Sequence, residues 1–266
     1  MSERETVARV GAEKWTEGNC TSDVLAVAEE VPVALEYNGI SHAVMLATPA
    51  DLEDFALGFS ITEGILSSPA DLFSSEIDSD ESGIRIAMEI AGDRFYCLKE
   101  KRRNLTGRTG CGLCGAESLT HAVRTPLPVE SSAVFSAAAL HAGFLQMEDM
   151  QQLRNETGAT HAAAWLTKDG TVTLVREDVG RHNALDKLIG ALLSAKIDVS
   201  SGAALVTSRA SYEMVQKTAA AGIGILAAVS APTALAVRMA HQANLTLAGF
   251  VRPGRHVVYA CADRIK

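Results

Sequence analysis

Residues 203–255, AALVTSRASYEMVQKTAAAGIGILAAVSAPTALAVRMAHQANLTLAGFVRPGR, alternate between two kinds of segment. Ala203–Val206, Ile223–Val229 and Thr246–Val251 are short apolar runs bounded by turn residues, which read as buried strands. Tyr212–Ala221 and Pro232–Gln242 between them have helical character. Strands separated by helices predict right-handed crossovers and a parallel sheet. Such sheets bind ligands beyond the carboxyl ends of their strands. Here those ends are Ser208-Arg209-Ala210-Ser211, Ser230-Ala231-Pro232-Thr233 and Arg252-Pro253-Gly254-Arg255. Two of them lead into helices, whose free N–H groups favour anions. Hydroxyls, arginines and helix starts along one edge suit phosphate groups, hence a nucleotide-like ligand; ordinary polar surface turns are the plainer account. The tightest cluster is Phe250-Val251-Arg252-Pro253-Gly254-Arg255, with an aromatic face, two guanidiniums and a turn that permits close backbone approach.

On the N-terminal side of this run, Ala162–Leu166 and Val172–Val175 flank Lys168-Asp169-Gly170, a hairpin signal. A helix from about His182 follows, with Leu185, Leu188, Ile189 and Leu192 at i, i+3, i+4 and i+7. Arg176 to Asn183 precedes it and reads equally as a ligand contact or a well-capped helix entry. His182 and Asp186, four residues apart, are placed to hydrogen-bond each other. His256–Ala260 is a last strand. Gly222-Ile223-Gly224-Ile225-Leu226-Ala227 matches the dinucleotide pattern in letters only, because it opens a strand instead of joining a strand to a helix.

The first half is β-rich. Val31–Tyr37 and His42–Ala47 flank the turn Asn38-Gly39. Thr48-Pro49-Ala50-Asp51 predicts a helix start with Thr48 as cap, continued by Phe55, Phe59 and Ile61 to Gly64. Ile84–Ile90 and Arg94–Leu98 are expected as strands separated by Gly92-Asp93, and residues 1–20 as a loosely held arm. Thr125 to Ser132, with two prolines, is a linker, and Ser136 caps a helix carrying Leu140, Phe144 and Met147. The expected organisation is a smaller β-rich module over 1–130, ending in a cysteine loop and linker, and an α/β domain over 131–266.

A net charge of −8 argues against a general nucleic-acid binder. Met1 to Lys14 lacks the apolar core of a signal peptide. The uncharged run Thr218–Val237 is interrupted by Gly222, Gly224, Ser230 and Pro232, which suits a buried strand and helix better than a membrane span. The expectation is a cytoplasmic protein with no membrane association. Of five cysteines, Cys20, Cys97 and Cys261 are isolated, while Cys111 and Cys114 form a C-x-x-C pair within Thr109-Gly110-Cys111-Gly112-Leu113-Cys114-Gly115. In a reducing compartment such a pair is more often reactive or metal-binding than structural. Its glycines permit unusual backbone angles. Upstream, Lys99, Lys101, Arg102, Arg103 and Arg108 face one acid, Glu100, a setting that favours thiolate and attracts anions. A zinc site needs four ligands and the pair supplies two. A dithiol switch and a persulfide-carrying sulfur relay fit these residues equally.

The sequence resembles the formate dehydrogenase accessory sulfurtransferase family (FdhD). The resemblance is carried by Cys111–Gly115, Thr157-Gly158-Ala159-Thr160-His161-Ala162-Ala163-Ala164, the run from Glu177 to Lys187, Ser208–Ser211 and Gly249–Arg255. It implies a cytidine-deaminase-like C-terminal α/β domain joined to a smaller N-terminal domain, and a homodimer. It further implies that sulfur is accepted from a cysteine desulfurase and passed to the bis-molybdopterin guanine dinucleotide form of the molybdenum cofactor, as formate dehydrogenase requires. On the matched motifs, Cys111 holds the persulfide, Cys114 assists, and Phe250 to Arg255 bind the guanine dinucleotide. A non-catalytic cofactor-binding chaperone is the alternative. No H-x-E followed by P-C-x-x-C is present, so zinc-dependent deamination is not expected, nor a metal of the protein's own.

Overall fold

A computed structural model describes residues 4–106 and 126–266. The chain opens with β1 (Val7–Thr16) and β2 (Asn19–Ala28), an antiparallel hairpin turning at Glu17-Gly18, both at positive φ. The segment expected as a loose arm is thus regular. Its strands carry no buried residue, so it lacks the one-sided apolar alternation by which strands are recognised in sequence.

The second sheet combines β3 (Val31–Tyr37), β4 (Ile40–Ala47), β5 (Leu72–Asp80) and β6 (Gly83–Ile90) in the order β4-β3-β6-β5. Asn38 and Gly39 take the positive φ angles that a tight β3–β4 turn needs. Val33, Leu35 and Tyr37 of β3 and Ile84, Ile86 and Met88 of β6 point to one face, where α1 (Leu52–Thr62) packs Phe55 and Phe59 against them. Arg94–Leu98, expected as a strand, lies inside a helix, α2 (Gly92–Thr106). The Phe95 N–H bonds the Ala91 carbonyl, and Leu98 buries itself in the same core. The helical start of α1 also differs from expectation. Asp51, not Thr48, precedes the helix, and Thr48 turns inward.

The third sheet has six strands in the order β12-β11-β10-β9-β7-β8. It is fed by α3 (Ala137–Met150), α4 (Gln152–Thr157), β7 (His161–Leu166), β8 (Val172–Asp178), α5 (Arg181–Ser194), β9 (Ala203–Val206), α6 (Tyr212–Ala220), β10 (Ile225–Ala228), α7 (Ala234–Gln242), β11 (Thr246–Arg252) and β12 (Arg255–Ala260). β9, β10 and β11 are parallel, as the alternating segments predict. Alternate residues serve opposite faces. Ala204, Val206, Leu226 and Leu247 join the core under α5, α6 and α7, while Leu205, Ile225, Ala227 and Ala248 join the core under α3. Burial on both faces explains the continuous apolar runs. Ser136 caps α3 by accepting from the Ala139 N–H at 3.1 Å. Among the described residues no helix is long and apolar enough to cross a membrane.

The two larger sheets meet where α1 crosses α5. A Cβ on Gly58 would stand 1.8 Å from the Asp186 carbonyl oxygen, and one on Gly190 1.9 Å from that of Asp54. Only glycine permits this backbone approach. Beside the crossing, Lys187 Nζ lies 2.7 Å from Asp178 Oδ2, both side chains fully buried. The ammonium also donates to the Thr48 carbonyl at 2.9 Å, and the Thr48 N–H donates to Asp178 Oδ2 at 3.0 Å. Lys217 Nζ reaches Asp186 and Glu63 at 2.9 Å each and Thr62 Oγ1 at 3.0 Å. Burial alone would lower the Lys217 pKa; Asp186 and Glu63 outweigh it and raise it, holding the ammonium charged.

Lys187→Met removes the ammonium and leaves the Asp178 carboxylate buried without its counter-charge. Breaking a buried pair this way costs about 3–5 kcal/mol. Urea unfolding is expected to show that loss as a lower midpoint, whereas Arg9→Ala, which breaks an exposed pair with Glu156, should cost under about 1 kcal/mol.

Candidate functional site

β8 runs antiparallel to β7, and β7 antiparallel to β9, so β8 points the same way as β9, β10 and β11. The carboxyl ends of four strands and the first residue of β7, His161, therefore share one edge. His161 sits opposite Asp178 in register. The loop after β9 and the loop after β10 are joined by a bridge between Ala210 and Pro232 and by the Thr233 N–H donating to the Ala210 carbonyl at 3.1 Å. Thr233 then caps α7 through the Ala236 N–H at 3.2 Å. Phe250 donates its N–H to the Ser230 carbonyl at 3.3 Å, tying the third segment to the second. The structure thus brings together the three strand-end segments named from sequence.

Within Phe250–Arg255 the roles differ. Phe250 has φ of 52°, a left-handed conformation uncommon for an aromatic residue, and the residue is 46% exposed. Val251 is buried in the core under α3. Arg252 Nη1 donates to the Val229 and Val251 carbonyls at 2.8 Å each, which fixes the guanidinium at the strand ends. Pro253 and Gly254, the latter at φ 76°, make the turn that pairs Arg252 with Arg255. His141 Nε2 and His256 Nδ1, 2.9 Å apart, tie α3 to β12 just beyond the turn.

The cluster from Arg176 to Asn183 separates into structural and edge-facing members. Glu177 is buried; its Oε2 accepts from the Leu153 N–H at 2.9 Å, and its Oε1 from the Arg154 N–H at 2.8 Å and the Thr160 hydroxyl at 2.9 Å. Asp178 Oδ1 accepts from the Gly180 N–H at 2.7 Å and from Asn183 Nδ2 at 3.0 Å. Arg176 pairs with Asp54 at 2.8 Å. These residues hold the helix entry and the seam. Arg181 and His182 remain at the edge, and Arg181 Nε is buried with no hydrogen-bond partner among the described residues. His182 does not bond Asp186 as its spacing suggested. Asp186 turns to Lys217 and Thr62, and His182 Nε2 lies 3.1 Å from Glu213 Oε2, an ion pair only when the imidazole is protonated.

Burial and the positive charge of Arg181 both push the His182 pKa down, against the pull of Glu213. His161 is lowered in the same way, by burial and then by Arg181 and Arg154. A cavity of about 220 Å³ opens beside Arg252 and Pro253, bounded by Val229, Thr207, the end of α3 and Arg154. Sequence reading named Arg252 and Pro253 but not Glu148, Gln151 or Arg154. The end of α3 was legible only through its apolar face, and nothing in that pattern marks the polar residues after Met147. Cys111 and Cys114, with the loop Thr109–Gly115, lie outside the described residues.

Fold and edge together define a mixed α/β protein that gathers arginines, imidazoles and hydroxyls along its strand ends. The FdhD/NarQ family model matches residues 28–266, and the chain belongs to that family. It is 62% identical to sulfur carrier protein FdhD of Cupriavidus necator over 265 residues, covering 100% of this chain and 92% of that protein. The protein of the same name from Bordetella petrii is 58% identical over 241 residues, 90% of this chain and 86% of the relative. A crystal structure described as a formate dehydrogenase accessory protein from Desulfotalea psychrophila superposes with a TM-score of 0.78 at 23% identity, covering 98% of this chain and 100% of that one. That likeness shows the fold.

Lowered imidazole pKa values mean that the folded chain binds fewer protons than the unfolded one as pH approaches the free imidazole value of about 6.5. The stabilising contribution of His161 and His182 is present above that pH and is lost as pH falls through their folded values. An NMR titration is expected to show both C2–H resonances moving at lower pH than a free histidine. Titration of either at or above that value would contradict the burial seen here.

Proposed function

We propose that this chain accepts sulfane sulfur from a cysteine desulfurase on Cys111 and passes it to the bis-molybdopterin guanine dinucleotide molybdenum cofactor, which formate dehydrogenase requires. The observation that carries the reading is full-length identity of 62% to a protein named sulfur carrier protein, in a chain with a glycine-flanked C-x-x-C.

The Cys111 thiolate attacks the outer sulfur of the desulfurase persulfide. A new S–S bond forms to Cys111, the donor's S–S bond breaks, and the donor cysteine leaves as a thiolate. Basic residues upstream of the pair favour the attacking thiolate. The cofactor is substrate here. Its phosphates suit the guanidiniums of Arg252 and Arg255 and the helix starts beside them. In the final step Cys114 attacks Cys111 Sγ, forming a disulfide and releasing the outer sulfur to molybdenum as sulfide. The two electrons come from the cysteine pair, and a cellular thiol must reduce the disulfide before another cycle.

We extend the proposal to a cytoplasmic homodimer. Trp15 and Val24 on the β1–β2 hairpin and Val44 and Leu46 on the edge strand β4 are exposed apolar groups that a second copy would cover.

The test is to incubate the protein with an active cysteine desulfurase and cysteine, then map bound sulfur by non-reducing peptide mass spectrometry. Added sulfur on the Cys111 peptide, missing in Cys111→Ser, is the expected result. Sulfur on neither loop cysteine would replace this reading with a chaperone that holds the cofactor without moving sulfur.

A further inference from the structure

The cavity beside Arg252 is lined by apolar, cationic and acceptor groups. Phe144 and Val251 form apolar walls. Arg154 and Arg252 bring cations to the same cavity. On the α3 side, Glu148 and Gln151 each bring an acceptor oxygen to the cavity. Glu148 is exposed, and its carboxylate makes no hydrogen bond or ion pair among the described residues. Gln151 is 2% exposed; its Nε2 donates to the Met147 carbonyl at 3.3 Å, while its Oε1 is buried without a partner. An unsatisfied buried carbonyl is costly in a folded protein, and a ligand donor is one way to satisfy it.

A carboxylate offers two acceptor oxygens and no donor. It is matched by two adjacent N–H groups on one edge of a ring. Among nucleobases, guanine presents N1–H and the 2-amino group side by side on its Watson–Crick edge. Adenine and cytosine each place one amino group next to a ring nitrogen that accepts, so one of their two positions would face Glu148 acceptor to acceptor. At about 220 Å³ the space is below the ~300 Å³ at which pockets for drug-sized ligands begin, which fits one ring system with its phosphates outside.

We infer that Glu148 selects guanine, with Gln151 Oε1 as a second acceptor, and that Arg154 and Arg252 hold the attached phosphates without reading the base. This rests on the guanine dinucleotide reading proposed above and assigns its base specificity to a residue outside Phe250–Arg255. Hydrogen-bonding sites reject analogues lacking the matching group more strongly than apolar pockets reject a missing methylene.

The experiment measures binding of GDP, IDP, ADP and CDP by calorimetry to the full chain and to its Glu148→Gln and Arg252→Ala forms. Glu148 is exposed, so its isosteric replacement leaves the fold intact. The wild-type chain is expected to prefer GDP over ADP and CDP by about tenfold or more, with IDP between them because it keeps N1–H and lacks the amino group. Glu148→Gln should bring GDP down towards ADP while leaving ADP nearly unchanged. Arg252→Ala should weaken all four alike. A GDP preference that survives in Glu148→Gln, or equal binding of all four by the wild type, overturns the assignment while sparing phosphate binding at this edge. Failure of the wild type to bind any of them overturns the guanine dinucleotide reading itself, and this inference with it.

Discussion

Lys187 and Asp178 are a pair of opposite charges with no exposure to water, and much of the molecule is arranged around their need for partners. Removing two ions from water costs several kcal/mol each, which their attraction offsets only if the remaining valences are also satisfied. Thr48 meets part of that demand from the first half of the chain, giving its carbonyl to Lys187 and its N–H to Asp178. Its hydroxyl accepts from the Val179 N–H at 3.1 Å, and Asn183 closes the other side by donating to the Leu46 carbonyl at 2.8 Å. The end of β4 is thereby fixed to the end of β8. The crossing of α1 and α5 is then set by the paired glycines Gly58 and Gly190, since any side chain there would force the helices apart and stretch these hydrogen bonds.

The same pair also positions the edge. Asp178 ends β8 and Lys187 lies two turns into α5, so their contact fixes how α5 leaves the sheet. Arg181 and His182 lie in the first turn of α5, and Arg181 is held near His161 at the start of β7. Burial and neighbouring guanidiniums keep both imidazoles from taking up protons readily. An edge with fixed guanidiniums and neutral imidazoles differs from a uniformly cationic patch, because its positive charge is concentrated at a few places such as Arg252. That guanidinium is immobilised by two backbone carbonyls, which reduces the entropy lost when an anion docks.

Much of this was legible in the sequence wherever burial imposed a pattern. The parallel strands β9, β10 and β11 are buried on both faces and show as apolar runs, and the turn Asn38-Gly39 shows by its residue types. Where burial imposes little, the sequence misleads. β5 is rich in Ser and Asp and went unrecognised, because pairing with β6 holds it there against its own propensity. Arg94-Phe95-Tyr96-Cys97-Leu98 has strand-favouring aromatics, yet burial of Leu98 and the bond to Ala91 make it helical. The strand-end segments were legible because topology places them together. Glu148 and Gln151 were not, since α3 joins that edge only in three dimensions.

The run from Glu177 to Lys187 shows why charge in a motif is a poor guide to its role. It contains two acids at its start, a further acid and a lysine at its end, and Arg181 and His182 between them. By residue type, all could touch a ligand. Burial sorts them: Glu177, Asp178, Asp186 and Lys187 are each less than 9% exposed and fully engaged with other parts of the chain. A neutral residue in place of one member of the Lys187–Asp178 or Lys217–Asp186 pair would leave its partner buried without a counter-charge, and loss of Glu177 would leave the Leu153 and Arg154 N–H groups and the Thr160 hydroxyl without their acceptor. Arg181, by contrast, keeps a buried guanidinium nitrogen, Nε, without a hydrogen-bond partner among the described residues. Such an unsatisfied buried donor costs stability and contributes nothing to holding the fold. Within one motif, then, burial assigns the acids and the lysine to the seam and leaves Arg181 and His182 at the edge where the strand ends meet.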